Sequence, residues 1–168
     1  MDILVGATAP DGGALVVDYD FSEPFEVYES TIVGGFVLWS GSDPGFGLIE
    51  FEEPEEGVFP MVSDVEISFE ITELDSGVQF QFGDATLDEV GESVVLGNSS
   101  DLHGHGEWQV ILPEGVESGE YILGFRLVAD RIYAPSEAVE ALLVPIEGDE
   151  HGHDDEHHDD EHDDEHDD

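Results

Sequence analysis

Between Val65 and Thr72 the chain alternates without exception: Val65, Ile67, Phe69 and Ile71 are apolar, while Glu66, Ser68, Glu70 and Thr72 are polar. Side chains on a strand project to opposite faces with a period of two, so this segment must lay one face on a core and turn the other to solvent. Long runs with helical spacing are lacking. The same pattern predicts further strands at Ala14–Asp20, Ile32–Ser40, Gly47–Phe51, Val78–Phe82, Ser93–Leu96, Glu107–Leu112, Tyr121–Ala129 and Ala138–Ile146. Turn-forming clusters separate them, among them Asp11-Gly12-Gly13, Ser42-Asp43-Pro44-Gly45, Asp75-Ser76-Gly77 and Asn98-Ser99-Ser100. Short strands punctuated in this way predict an all-β fold, an antiparallel β-sandwich of immunoglobulin-like or jelly-roll-like type, spanning residues 1–148. Phe36, Trp39, Phe69, Phe80, Phe82, Trp108, Tyr121 and Phe125 fall within these strands and are expected in the core.

Such a fold must form without ion-pair networks. The 168 residues include 44 Asp and Glu against two arginines and no lysine, a formal net charge of −42. Nucleic acid is thereby excluded as a partner, because its phosphates demand the cations this chain lacks. Arg126, on a predicted strand, is expected to pair with a carboxylate of the adjacent strand. Two environments account for the acidity: high salt, in which excess carboxylate keeps a protein solvated, or a metal-rich exterior. The absence of cysteine excludes disulfides and thiolate sites, so any metal must be held by nitrogen and oxygen. No stretch approaches the ~20 apolar residues of a membrane-spanning helix. The opening MDILVGATAP has no basic segment and is not a signal peptide as it stands. The turn-rich, lysine-free composition nevertheless favours a periplasmic or extracellular location, with Met1 in place of a removed leader.

The strongest functional signal is residues 149–168, DEHGHDDEHHDDEHDDEHDD: thirteen carboxylates, six histidines and one glycine. With no apolar side chain and a dense like-charge run, the segment cannot offset its ordering entropy and is expected to be a disordered tail. It is dense in metal ligands. Imidazole mixed with carboxylate suits zinc, nickel and copper(II), whereas carboxylate alone would suit calcium. His151, His153, His157, His158, His162 and His166 are accordingly candidate ligands of a multi-site buffer. Binding requires neutral imidazole and should weaken as pH falls through the histidine range.

The remaining histidines stand together in Asp101-Leu102-His103-Gly104-His105-Gly106-Glu107-Trp108. If the strand already begins here, His103, His105 and Glu107 share one face and Trp108, Val110 and Leu112 the other, giving a candidate three-ligand site. Gly104 and Gly106 remove bulk between the ligands and allow close approach of a neighbouring chain segment. A fourth position would fall to Asp101, another loop or water.

The run HGHGEWQVILPEGVESGEYILGFRLVAD, residues 103–130, resembles the His-x-His-x-x-Trp, strand, turn, Tyr-containing strand pattern of two groups. One is the bacterial surface-anchored domains encoded beside zinc or manganese transporters; the other is the zinc-regulator-repressed secreted proteins of cyanobacteria. His103, His105 and Trp108 match the motif, Pro113–Gly119 the turn and Tyr121–Ala129 the following strand. The chain departs from that pattern in having no histidine in its N-terminal half and no sorting helix after the domain. The resemblance implies zinc handling outside the cytoplasm, with a metal transporter or its binding protein as partner.

Two other readings compete. His-x-His followed by Glu is similar to the start of the cupin metal motif, but the Glu comes one residue too soon and no later body histidine completes the set, so no enzymatic role is expected. A calcium-dependent or salt-adapted adhesive sandwich fits the carboxylates, yet the chain lacks an Asp-x-Asp-x-Asp-Gly loop.

Overall fold

A computed structural model describes residues 1–116 and 119–147. Among them are twelve strands and no helix: β1 (Ile3–Ala9), β2 (Gly12–Asp18), β3 (Phe25–Val33), β4 (Phe36–Gly41), β5 (Phe46–Leu48), β6 (Glu66–Leu74), β7 (Val78–Phe82), β8 (Ala85–Leu87), β9 (Ser93–Asn98), β10 (Glu107–Pro113), β11 (Tyr121–Ala129) and β12 (Val139–Ile146). The predicted tail lies outside the described residues.

Nine strands form one sheet in the order β8-β7-β10-β4-β3-β12-β11-β6-β9, and β2-β1-β5 form a second. The edge strands β8 and β9 are joined by only the five residues 88–92. So short a link brings the two edges together and curls the large sheet into a nearly closed barrel. Phe69 of β6 and Phe80 of β7, near opposite ends of the strand order, stack across the interior with centroids 4.2 Å apart. The small sheet closes the remaining opening. Its Phe46 is fully buried and meets Phe69, Phe80, Trp108 and Phe125 at 6.1 to 6.4 Å.

The alternation read from β6 is realised in full, with Val65, Ile67, Phe69 and Ile71 all buried. In register with β11, Ile67 opposes Ala129, Phe69 opposes Leu127 and Ile71 opposes Phe125. On the outer face Arg126 stands directly opposite Glu70, with its Nη2 2.8 Å and its Nε 2.9 Å from Glu70 Oε1. This is the expected cross-strand pair, of a kind that contributes about 0.2–1 kcal/mol.

Pairing is mixed rather than uniformly antiparallel: β1 runs parallel to β5 and β3 parallel to β12. The predicted strand Ile32–Ser40 is two strands, because Gly34 and Gly35 take φ of 60° and 84° and close a tight hairpin between β3 and β4. Phe36, expected in the core, is 51% exposed. It opens β4 on the outward-facing parity, opposite Val33 and Pro113, while Val37 and Trp39 point inward.

One outward row stores repulsion. Gly124 of β11 stands opposite Glu73 on one side and Glu140 on the other, and with no side chain between them the two carboxyls meet. Their hydrogen bond, and then the Glu140 charge, raise the Glu73 carboxyl above its ordinary value of 4.5. A folded-state value above the unfolded one means stability present below about pH 4.5 and lost as pH rises through the raised value. Glu140→Gln should therefore raise Tm at pH 7 and confer less of a gain at pH 4; an equal gain at both pH values would show that the pair does not titrate with folding.

Candidate metal centre

The site begins with a one-residue bridge. Gly104 accepts a hydrogen bond from Phe46 N–H at 2.7 Å and donates its own N–H to the Phe46 carbonyl at 3.1 Å, so the chain is held against β5 before β10 starts at Glu107. The bridge extends the strand-like alternation upstream. Leu102, Gly106 and Trp108 are buried, while His103, His105 and Glu107 are exposed. The glycines that alternate with His103, His105 and Glu107 face inward against β7 and its end. A methyl at residue 106 would strike the Phe80 ring, and one at residue 104 would lie 3.1 Å from Phe82 Cζ.

His105 lies over the loop between β4 and β5. Its Nδ1 is 3.1 Å from the Ser42 carbonyl and 3.7 Å from Asp43 Oδ1. A methyl on Gly45 would sit 2.5 Å from the same nitrogen, so glycine there makes room for the ring. Because a carbonyl can only accept, Nδ1 carries the proton, and the lone pair of the neutral ring resides on Nε2. The Nδ1–H···O=C bond sets the ring's tautomer and orientation, as the outer-shell partner of a metal-ligating histidine commonly does. Trp108 holds the same loop from below, donating Nε1–H to the Pro44 carbonyl at 3.0 Å. His105 and Trp108 thus grip carbonyls two residues apart, which is a physical reason for their spacing in the motif.

His103 is held more loosely, with Nδ1 3.9 Å from Asp2 Oδ2 and a side chain 74% exposed. The two rings are 5.8 Å apart between centroids and nearly perpendicular at 87°. Two imidazoles on one tetrahedral zinc, each at ~2.0–2.1 Å, have centroids about 5 Å apart, somewhat less than this separation.

Glu107 shares their exposed face but is engaged elsewhere. Its Oε2 accepts from Gln109 Nε2 at 2.8 Å, and Gln109 in turn accepts from Gln79 at 2.6 Å, forming a polar row across the outer face of β7 and β10. Among the described residues no three His, Asp or Glu side chains converge on one point. His151, His153, His157, His158, His162 and His166 lie outside the described residues. Sequence reasoning missed Asp2, Ser42 and Asp43, which flank the histidines. Nothing in the sequence signals Asp2, and the Ser42–Gly45 cluster reads only as a turn.

No family model, no curated protein and no solved structure matches this chain. The likeness of residues 103–130 to zinc-associated domains therefore rests on the motif residues alone.

Proposed function

We propose that this protein binds and buffers a transition metal outside the cytoplasm, zinc foremost with copper(II) or nickel as alternatives, and hands it to a transporter or its binding protein. The role is non-catalytic. The observation that carries the reading is the imidazole of His105, whose Nδ1 is tied to the Ser42 carbonyl so that Nε2 is the free donor, beside a second exposed imidazole at 5.8 Å. The tail adds six histidines and thirteen carboxylates within twenty residues. The pair offers one oriented site, and the tail many ligands of low selectivity.

Calorimetric titration of chelator-stripped protein with zinc tests this, comparing the whole chain with one ending at Gly148. The whole chain should take up several equivalents and the truncated chain one, lost in His105→Ala and weakened about tenfold or more in His103→Ala. Uptake by the histidine-rich tail should weaken between pH 7 and pH 5, because protons compete with metal for imidazole. Absence of zinc, copper(II) and nickel binding in the whole chain overturns the reading. Retention of the single site in His105→Ala removes the body pair from it.

A further inference from the structure

β5 has an open edge. Ile3 N–H donates to the Gly45 carbonyl and Ile49 N–H to the Val5 carbonyl, so odd-numbered residues of this strand turn their polar backbone groups towards β1 and even-numbered ones turn theirs away. Phe46 uses its outward groups on Gly104. Leu48, two residues on, faces the same way. In the register begun by Phe46 and Gly104 it would meet Leu102, but among the described residues no such bond forms, and the two segments part around a groove of about 640 Å³. Unpaired strand edges of this kind accept an added strand.

The groove has an apolar floor and an acidic rim. Leu4, Leu48, Phe51 and Leu102 line it, with Glu50, Asp101 and His103 at the polar side. Phe51 is 78% exposed, the most exposed aromatic residue among the described residues. With Leu4, Leu48 and Leu102 beside it, the ring gives the groove an apolar side next to its carboxylates. The rim carboxylates have no arginine beside them. Arg126 is bound to Glu70, and Arg131 donates to the Asp64 carbonyl.

We propose that this groove receives an extended segment of a partner protein whose side chains alternate between apolar and basic, added as a strand to the edge of β5. The peptide's backbone would meet the Leu48 N–H and carbonyl, its apolar side chains the floor with Phe51, and its Lys or Arg side chains Glu50 and Asp101. Alternate side chains of one strand point to opposite sides, so apolar and basic residues in turn satisfy the floor and the rim together. The occupant carries positive charge to complement the carboxylates of Glu50 and Asp101. His103 of the candidate metal pair also borders the groove, so binding is tested with the metal removed.

The test uses the full chain in the presence of chelator, with a labelled ten-residue peptide alternating lysine and valine, read by fluorescence anisotropy at 0.15 M salt. Saturable binding is expected, weakened about tenfold or more by Phe51→Ser and by the double change Glu50→Lys, Asp101→Lys. The double change Glu55→Lys, Glu120→Lys alters net charge equally but lies outside the groove, and should retain most of the affinity. A peptide N-methylated at alternate amides should bind at least about tenfold more weakly, because it cannot pair with the edge. Equal losses for the two charge reversals, equal affinity of the N-methylated peptide, or no binding overturns the proposal. The first of these outcomes would mark the interaction as general attraction to an acidic protein.

Discussion

Trp108→Ala should lower the unfolding free energy by about 3–5 kcal/mol, the usual cost of truncating a large buried aromatic. The indole is fully buried and packs against Phe25 at 4.9 Å, Phe80 at 4.8 Å, and Phe46, Phe69 and Phe125 at 5.9 to 6.1 Å. It lies where the small sheet closes the curled large one, so its removal leaves a void bounded by both. Against a typical total of about 5–15 kcal/mol this is a large fraction, and at about 2–4 °C per kcal/mol for a chain of this size the Tm should fall by roughly 6–20 °C. Trp108→Phe separates packing from hydrogen bonding: it keeps a ring but leaves the Pro44 carbonyl without its donor, at a cost of about 1–3 kcal/mol. It should also weaken zinc at His105 in the truncated chain, because the loop that orients that ring has lost its second anchor. Phe51→Ser, at an exposed position, should change stability by no more than about 0.5 kcal/mol. Thermal denaturation of the three variants checks these values, and a Trp108→Ala protein as stable as wild type would show that the aromatic cluster is not the core.

Raising sodium chloride from 0.01 to 1 M at pH 7 should increase Tm by on the order of 10 °C. The 44 carboxylates face only two arginines, and two like charges 10 Å apart in water repel by about 0.4 kcal/mol. Dozens of such pairs sum to several kcal/mol, part of which is relieved when the chain expands. Salt shortens the screening length from about 30 Å to about 3 Å over this range and removes most of that penalty. The two ion pairs Arg126–Glu70 and Arg131–Asp130 are too few to reverse the sign. At pH 4, where many carboxylates are protonated, the salt increment should shrink well below its value at pH 7. A Tm independent of salt at pH 7 would mean that the folded surface does not feel its own charge.

Much of the sheet was legible because period-two alternation survives wherever a strand has one wet face. Tyr121–Ala129 and Val78–Phe82 were read with the boundaries the structure has, and Glu107–Leu112 and Ser93–Leu96 differ only at one end. The strands that escaped are those whose surroundings hide the pattern. β1, ILVGATA, lies between β2 and β5 and is apolar on both faces for most of its length, so it does not alternate. β3 begins Phe25-Glu26-Val27-Tyr28 in good alternation, but its second half is exposed on both faces out to the hairpin tip and blurs into β4. β8 has three residues, too few for a period.

The candidate centre divides along the same line. That His103, His105 and Glu107 share an exposed side follows from local alternation, which a strand imposes on any three alternate residues. Which of them can act together does not follow from it. Glu107 was drawn into the amide row by Gln109, while Asp2 and Asp43 reached the histidines from segments far back in the sequence. The His-x-x-Trp spacing was visible from the start, but its reason was not: the ring and the indole converge on one loop because β5, following that loop, is bridged to Gly104. Local rules assign a side chain to a face because backbone geometry repeats from residue to residue. Neighbours across a sheet are chosen by how strands pair and curl, and that depends on packing the whole aromatic core at once.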